Sequence, residues 1–445
     1  MRGSGRSRYK YINPQATHPT HTTMPRTTET GNAALQIELA SPPGWTFTPG
    51  DTVIGTVLRT APILTPDATV RLALVGRVKT KITTTGSSSR SKYRARWLML
   101  GSTTAQILFR GPLHLGAESK GEGLSWSFSL SVPLRPAETA MGGYHSEEGF
   151  LPLDKDGISQ HTLPGSFFSQ NRGWRVSSEG FVEYFLEAWL RYHHRGGQFE
   201  VHKATCPVTI RPYPPVVIPN NDIIQHREIS RTIRSQRLLP GMEGADLTLK
   251  QKAQRFLGSS KVPEVHGVVE ISFPRIIQLG SLVPIPLTLN IIPQPEKTSE
   301  SIRDIGLVFR VNWVSMVLKS TTTVLTPKDM RRLLTEDDSH AIYHYLNLEN
   351  EFQDLENPIE FSAEEVKETG EKNPVDLGKM FNLSLHSHGL SAGDRLLASV
   401  PPIQPDIFTY NLRHSHRLKL AVSLTIAGET ITVPLRTDVM ILAAN

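Results

Sequence analysis

The sequence of 445 residues contains a single cysteine, Cys206. A disulfide framework is therefore excluded, and this cysteine usage is typical of proteins that fold in a reducing compartment. Cys206 sits beside Pro207 in a segment that looks like a strand, and no paired base accompanies it. We interpret it as a small buried side chain rather than a reactive thiol.

Long apolar runs are also missing from the chain. No stretch approaches the roughly 20 apolar residues that cross a bilayer as a helix. The N-terminus is basic, but no apolar segment follows it, so it does not have the pattern of a secretory signal peptide. We expect a cytoplasmic protein, and we predict that residues 1–32 form a disordered basic tail.

Catalytic motifs form a third absence. The sequence has no phosphate-binding Walker loop, no G-x-S-x-G elbow and no H-E-x-x-H helix. Histidines do occur in pairs, and two such pairs on strand faces could form a metal site, but acidic or cysteine ligands at a matching spacing are lacking. These pairs are His193-His194, His386-Ser-His388 and His414-Ser-His416. We expect a protein that is not an enzyme and that has no cofactor.

Turn residues, by contrast, are abundant. The chain contains 33 Gly and 32 Pro between short apolar runs, which predicts an all-β protein. Eight strands are predicted in the first half: Leu35–Leu39, Thr52–Leu58, Val70–Ile82, Lys92–Leu100, Gln106–Phe109, Leu124–Val132, Phe181–Tyr192 and Ala204–Ile210. This spacing is typical of a β-sandwich rather than of βαβ units. We interpret Pro133–Gln160, which interrupts the rhythm, as a long surface loop.

The second half repeats the pattern of the first. Gly50 has its counterpart at Gly280, 230 residues later, and Val208 has its counterpart at Val439, 231 residues later. A β unit of this length that recurs in register indicates two similar domains. We predict two antiparallel immunoglobulin-like β-sandwiches in tandem, over residues 33–213 and 263–445.

A polar and basic linker over residues 214–262 separates the two predicted sandwiches. Its apolar residues are spaced more widely, and we predict short helices interrupted at Pro240-Gly241. On a helix, Arg227, Arg231 and Arg234 would share one face, with Lys250, Lys252 and Arg255 further along. Such a stripe could lie on an anionic membrane, or it could be the solvated side of a packed helix.

Four motifs in order resemble those of the alpha-arrestins, the arrestin-related trafficking adaptors, of the fungal type. They are Phe47-Thr-Pro-Gly-Asp-Thr-Val-Ile-Gly-Thr-Val57, Leu163-Pro-Gly-Ser-Phe167, Val182-Glu-Tyr-Phe-Leu-Glu-Ala188 and the segment from Pro402 to Leu418. The resemblance extends over residues 33–442.

The resemblance implies the arrestin fold, two hinged β-sandwiches without a catalytic site. It also implies an adaptor that binds cytosolic parts of membrane transporters and receptors and recruits HECT-type ubiquitin ligases through Pro-Pro-x-Tyr motifs. Such an adaptor would be recruited from the cytoplasm to the plasma membrane or endosomes. This chain departs from that pattern, because Tyr213-Pro-Pro-Val216 has the order reversed and Pro-Pro-x-Tyr does not occur. An arrestin-fold scaffold or sorting subunit without a ubiquitin ligase is the alternative function.

A run of positive charge marks the best candidate for partner binding. Between Ala68 and Ala117 there are nine Lys or Arg residues and no Asp or Glu. If the strands over 70–82 and 92–100 pair as a hairpin, alternate basic residues share one exposed face. The candidate residues are Arg71, Arg77, Lys79, Lys81, Lys92, Arg94 and Arg96. An acidic peptide, phosphates or anionic headgroups would relieve the repulsion between them; a merely solvated face is the alternative.

The second half carries the opposite charge in one segment. Residues 326–374 contain thirteen acidic and five basic residues, a net charge of −8. We interpret this acidic insertion as a solvated, partly disordered loop. A sharper hypothesis is that it folds onto the basic face of the first half and competes with an acidic partner.

Nucleic acid is not expected as a partner, although the pI is about 9.3. Tyr93 and Trp97 alternate with Lys92, Arg94 and Arg96. On a strand the two aromatic residues would therefore lie on the side opposite the charges and join the core. That arrangement does not provide a surface on which bases could stack.

Overall fold

A computed structural model describes residues 26–444, apart from 88, 102–103, 118–122, 138–148, 152–160, 174, 194–198, 213–223, 329–330, 335–340 and 363–373. Strands account for 60% of the structure and helices for 8%, in several sheets and without a barrel. The prediction of an all-β sandwich fold is confirmed, whereas the tandem arrangement of two sandwiches stays a prediction.

The described part of the first half contains ten strands, and all eight predicted strands are among them. They are β1 (Gln36–Leu39), β2 (Thr46–Phe47), β3 (Thr52–Arg59), β4 (Ile63–Thr85), β5 (Arg90–Leu100), β6 (Gln106–Leu115), β7 (Leu124–Ser131), β8 (Phe167–Arg172), β9 (Val176–His193) and β10 (Phe199–Ile210). Strands β2 and β8 have no counterpart in the prediction.

The rest of the described chain adds fifteen strands and three short α-helices. The strands are β11 (Ile224–Arg234), β12 (Glu264–Pro274), β13 (Ile276–Gln278), β14 (Thr288–Pro293), β15 (Val308–Lys328), β16 (Arg331–Leu334), β17 (Ile342–Asn347), β18 (Glu360–Ser362), β19 (Val375–Asp376), β20 (Leu383–His386), β21 (Gly389–Ala392), β22 (Arg395–Ala398), β23 (Ile407–Phe408), β24 (Leu412–Ile426) and β25 (Glu429–Leu442). The helices are α1 (Leu249–Phe256), α2 (Glu349–Gln353) and α3 (Leu377–Met380).

Each half contains one large sheet and at least one smaller sheet. In the first half the small sheet has the order β1-β3-β7, and the large one has the order β2-β10-β9-β4-β5, with β6 on β4 and β8 on β9. In the second half the order β11-β12-β14-β19 forms one sheet and β13-β25-β24-β15-β16 the large one, with β17 and β18 on β15. Strands β20-β21-β22 form a further sheet.

The repeat seen in the sequence recurs in the strand pairing. Strand β2 pairs in parallel with β10, with Thr46 opposite Thr209. Strand β13 pairs in parallel with β25, with Ile276 opposite Met440. The other pairings between named strands are antiparallel. The two halves therefore share an unusual local topology at positions separated by the same offset.

Two clusters of buried apolar side chains hold these sheets together. The first extends from Leu35 to Ile210 and also includes four residues of the second half: Val324, Ile407, Tyr410 and Leu412. The second extends from Ile233 to Ile441. Because a β-strand alternates its side chains between two faces, the even-numbered residues of β24, and those of β15 beyond the bulge between Val311 and Trp313, face a core. The odd-numbered residues of these segments lie on the opposite side.

The large sheet of the first half packs against the ends of β15 and β24. Thr80 Oγ1 donates to the carbonyl oxygen of Leu325 (2.6 Å) and accepts from Asn411 Nδ2 (3.1 Å). A Cβ added at Gly180 would collide with Leu412 and lie 2.9 Å from Val324 Cγ1. A larger residue at position 180 would therefore push these two side chains away from the first half.

The linker differs from its prediction. Residues 224–234 form strand β11, which pairs with β12 over its whole length, with Arg227 opposite Ile271. The hypothesis that Arg227, Arg231 and Arg234 share a helical face is therefore wrong: on a strand, the first two lie on one side and Arg234 on the other. The predicted helical content is present in α1, where a capping box between Thr248 and Gln251 starts the helix.

Residues 26–32 were expected to belong to a disordered tail, but several of them make defined contacts with the first half. The backbone N–H of Thr27 donates to Glu183 Oε2 (2.9 Å), and Thr30 pairs with Thr205 through two backbone hydrogen bonds (both 2.9 Å). The guanidinium of Arg26 lies 3.6 Å from the centre of the Phe168 ring. Residues 1–25 lie outside the described residues.

The acidic insertion is also more regular than a solvated loop. Strands β17 and β18 both pair with β15, and α2 lies between them. Leu346, Leu348 and Phe352 enter the second core. The acidic clusters at 336–338 and 364–371 lie outside the described residues.

Candidate partner-binding faces

The predicted basic hairpin is present. Strands β4 and β5 pair antiparallel, with Lys79 opposite Arg96 and Lys81 opposite Arg94. Residues that face each other across an antiparallel pair lie on the same side of the sheet. The cations named from the sequence therefore share one side, which we call the first basic face: Arg71, Arg77, Lys79, Lys81, Lys92, Arg94 and Arg96.

Strand β9 supplies counter-charges that the sequence analysis did not anticipate. It pairs with the other edge of β4 and places Glu183 opposite Arg77 and Glu179 opposite Lys81. Glu183 accepts a hydrogen bond from Arg77 and forms an ion pair with Lys79 (3.3 Å). Glu179 forms an ion pair with Lys81 (3.0 Å).

The electrostatics of Glu183 follow from these contacts. Burial opposes the charged form of Glu183, but the hydrogen bonds from Thr27 and Arg77 and the charges of Arg77 and Lys79 outweigh it, so that the pKa of Glu183 lies below its usual value. Burial also lowers the pKa of Lys79, against the opposing effect of Glu183. This part of the face is a buried ion-pair network.

The prediction of one continuous exposed cationic surface is therefore wrong for half of the hairpin. The side chains of Arg77, Lys79 and Lys81 are only 17%, 16% and 9% exposed. Arg71 is exposed, but it lies six residues before Arg77 on β4, on the order of 20 Å away, beside the ring of Trp189 (5.9 Å).

The exposed cations of the hairpin are those of β5. Lys92, Arg94 and Arg96 are exposed at alternate positions, and Trp97 is buried in the core. We call these three cations the β5 strip. Within the described residues, β5 is the terminal strand of its sheet and pairs only with β4. The strip therefore combines positive charge with a sheet edge.

A second basic face, which the sequence analysis missed, lies on the large sheet of the second half. On the side opposite the core, β15, β24 and β25 bring together five cations: Lys319, Arg413, Arg417, Lys419 and Arg436. At the positions of β24 and β25 on this side there is one acidic residue, Asp438. The alternation of Arg413, Arg417 and Lys419 was visible in the sequence, but the acidic insertion dominated the charge count of this half.

Two acidic residues of the insertion form ion pairs within the second half rather than with the first basic face. Glu351 forms an ion pair with Arg395 (2.9 Å), and Glu360 forms one with Arg310 (2.8 Å). All four residues belong to the second half. The hypothesis of competition with an acidic partner therefore now concerns the acidic clusters outside the described residues.

Two of the predicted histidine pairs lie in different surroundings. His414 and His416 are buried on the core side of β24, with His344 nearby, and each ring contacts a polar partner: Thr322 for His414 (2.8 Å) and Asp406 for His416 (2.6 Å). His386 lies on β20 and contacts Ser384 (2.9 Å). Among the described residues, no group of three or more His, Cys, Asp or Glu side chains is arranged to hold a metal ion.

Burial lowers the pKa of two histidines in this cluster, His344 and His414. Desolvation, with a smaller contribution from the charge of His416, lowers the pKa of His344 to about 4. Desolvation and the charges of His416 and His344 lower the pKa of His414 well below its usual value. His344 contacts the hydroxyls of Ser320 (2.9 Å) and Ser399. The rings of His344 and His414 are therefore neutral near neutral pH.

Cys206 is buried on β10, as expected. Burial raises the pKa of its thiol, and the nearby charge of Glu29 acts in the same direction. A protonated, shielded thiol is a poor nucleophile.

None of the helices in the described residues is both long enough and apolar enough to cross a membrane. No model of a known protein family matches the chain, and no curated protein is significantly similar to it.

Proposed function

We propose that this protein is a non-enzymatic cytosolic adaptor that binds acidic or phosphorylated cytosolic segments of membrane transporters or receptors. The β5 strip carries this proposal. It is the part of the first basic face where exposed cations lie next to one another, whereas Arg77, Lys79 and Lys81 lie against the glutamates of β9 and the exposed Arg71 lies apart.

The geometry of β5 suits an extended acidic ligand. A strand at a sheet edge offers backbone donors and acceptors to an added strand, and pairing of this kind places every second ligand side chain on the face of the strip. Lys92, Arg94 and Arg96 also recur at every second position. In a ligand with acidic residues at every second position, each acidic residue would therefore lie beside one cation of the strip.

A solvated edge that merely prevents aggregation is the competing explanation, because charged residues on edge strands hinder pairing between copies of a protein. The two explanations differ in what they require. Protection of the edge needs charge of either sign, whereas recognition of an acidic segment needs positive charge. Charge reversal therefore separates them.

The test is the affinity of a fluorescent, extended peptide with acidic residues at alternate positions, measured by anisotropy in low salt. Replacing Lys92, Arg94 and Arg96 with Glu should weaken binding by at least about tenfold, because each lost ion pair contributes up to about 1 kcal/mol. The matched control replaces Arg227, Lys250 and Lys252 with Glu, which changes the net charge equally at exposed or half-buried positions of the second half.

The control should bind within about twofold of the unchanged protein. Equal weakening in both triple variants would reduce the effect to net charge, and unchanged affinity in the β5 variant would end the proposal.

The ubiquitin-dependent part of the proposal is a separate step. An adaptor of the alpha-arrestin type would link its cargo to endocytosis or signalling through a HECT-type ligase. The alternative is an arrestin-fold scaffold or sorting subunit without a ligase, which the absence of Pro-Pro-x-Tyr from the sequence favours. A pull-down with ligase WW domains decides between them, since retention of the protein supports the adaptor and its loss to the flow-through supports the scaffold.

A further inference from the structure

A small cavity opens on the second basic face, between β15 and β24. It has a volume of about 220 Å³ and is lined by Lys319, Thr321, Thr323, Arg413, Ser415, His416, Arg417 and Asp438. We propose that this cavity binds a phosphate monoester, presented as the phosphorylated serine or threonine side chain of a partner protein.

The strand register explains why these residues converge. Lys319 lies directly opposite Arg417, and Thr321 lies directly opposite Ser415. Thr323 lies directly opposite Arg413. Directly paired residues have Cβ atoms about 5 Å apart, and alternate residues of each strand point to the same side. Three consecutive cross-strand pairs therefore present three cations and three hydroxyls to one space.

The depth of the charges distinguishes this cavity from a solvated basic surface. Lys319 is 4% exposed and is the deepest of the cations, whereas the side chain of Arg417 is 50% exposed. Cations around a concave, partly desolvated space act more strongly on an anion than the same cations on a flat surface.

The acidic residue of the cavity does not fill it. Asp438 lies opposite Arg417 on β25 and accepts a hydrogen bond from its Nε (2.7 Å). Its side chain is 79% exposed, so it belongs to the rim. The contact also holds the guanidinium of Arg417 beside the cavity mouth.

Arg413 is positioned from the other side by the first half of the chain. Its guanidinium lies 5.0 Å from the centre of the Phe150 ring. The backbone N–H of Phe150 donates to the carbonyl oxygen of Tyr410 (2.8 Å), three residues before Arg413. An arginine held over an aromatic ring loses less conformational freedom when it binds an anion.

The donor set suits phosphate better than carboxylate. A phosphate monoester carries between one and two negative charges at neutral pH and three terminal oxygens that accept hydrogen bonds. Two arginines, one lysine and three hydroxyls match that number of acceptors and that charge. The volume is below the 300–1,000 Å³ of pockets for drug-sized ligands, so one small group fits with its carrier outside. This cavity is separate from the β5 strip, so an experiment can contradict one of the two proposed binding sites without contradicting the other.

The experiment is calorimetric titration of the full chain with a neutral peptide that contains one phosphoserine, with the unphosphorylated peptide and with inorganic phosphate. We expect binding of the phosphopeptide and of phosphate, and none of the unphosphorylated peptide. Arg413→Gln should weaken phosphopeptide binding by at least about tenfold.

Arg436→Gln is the matched control. It removes the same charge from the same face, but Arg436 does not line the cavity. It should change the affinity by less than about twofold. Ser415→Ala is a second cavity variant that leaves the charge unchanged, and it should weaken binding by several fold through the lost hydroxyl.

Three outcomes would overturn the proposal. They are no binding of the phosphopeptide, equal weakening by Arg413→Gln and Arg436→Gln, or tighter binding to vesicles that contain a phosphoinositide than to the phosphopeptide. Equal weakening would mean a diffuse electrostatic effect, and the vesicle result would identify a membrane surface as the ligand.

Discussion

The two basic faces differ in the origin of their counter-charge. On the first, β9 places Glu183 and Glu179 between cations of the neighbouring strand, so Arg77, Lys79 and Lys81 are neutralised within the sheet. On the second, the acidic residue of β25 lies at the rim of the cavity, and the cations concentrate around a concave space. Charge of one sign thus belongs to an internal ion-pair network in one sheet and lines a cavity in the other.

The largest expected effect comes from replacing the acidic residue of each face, Glu183 on the first and Asp438 on the second, and comparing the losses of stability. Glu183→Gln leaves Arg77 and Lys79 in a largely buried site without a carboxylate and loses the ionic contact with the N–H of Thr27. We expect a loss of about 3 kcal/mol in the free energy of unfolding, measured by urea denaturation. Asp438→Asn should cost less than about 1 kcal/mol, because that ion pair is exposed. Similar losses would remove the distinction.

The two halves should also differ in the pH at which their buried ionisable groups, His344 and Glu183, stop contributing to the free energy of unfolding. The folded-state pKa of His344 is about 4, below the usual 6.5, so the unfolded state takes up the proton first as the pH falls. Its contribution is complete above about pH 6.5 and is lost toward pH 4, by up to about 3 kcal/mol. Glu183, whose folded pKa is below 4.5, loses its contribution only at still lower pH.

The pH dependence is measured by urea denaturation at fixed ionic strength between pH 7.5 and pH 4, with His344→Gln as the comparison. This variant should show a shallower loss of stability over that interval. An identical slope in both proteins would contradict the assignment to His344.

The junction between the halves is the next most sensitive place. Gly180→Ala would force a methyl group against Leu412 and Val324, so we expect a loss of about 1–3 kcal/mol. Gly86→Ala is the control, because its added Cβ would meet Ser89 at an ordinary distance of 3.6 Å. Thermal denaturation of both variants measures the difference, and equal melting temperatures would show that the junction can move apart.

The smallest expected effect concerns the β5 strip. Replacing Lys92, Arg94 and Arg96 with Ala should change the free energy of unfolding by less than about 0.5 kcal/mol, because the three side chains are exposed. Urea denaturation tests this value. A large loss would mean that the strip, like Lys81, belongs to the folding network rather than to a binding surface.

Local patterns in the sequence predicted the fold class and the position of the first-half strands, because alternation and turn residues act over short distances. The β4–β5 hairpin followed for the same reason. The pairing of β9 with β4 did not, because Glu183 lies 106 residues after Arg77 and no local signal joins them. Burial of the first-face cations depends on that long-range pairing.

The prediction of a helix where strand β11 lies was wrong for a different reason. Ile229 and Ile233 are four residues apart, a separation that places both on one side of a helix and also on one side of a strand. The pattern was too short to separate the two periods. Pairing with β12, which lies beyond the linker, settles the conformation in favour of the strand.

The second basic face was not predicted because the net charge was counted over whole segments of the sequence. Glu351 and Glu360 belong to the acidic insertion, but they pair with Arg395 and Arg310 rather than with the cavity residues. Net charge of a segment therefore did not predict the charge of the surface that the segment adjoins. The alternation of Arg413, Arg417 and Lys419 on a single strand was the better signal.

The buried state of Cys206 has a practical consequence for measurements on this protein. Because the only thiol in the sequence is shielded and its pKa is raised, it reacts slowly with alkylating dyes. A cysteine introduced at an exposed position, such as Leu282 in the turn after Gly280, would then be the single readily labelled site. A fluorophore placed there would report on the second half without removal of the native cysteine.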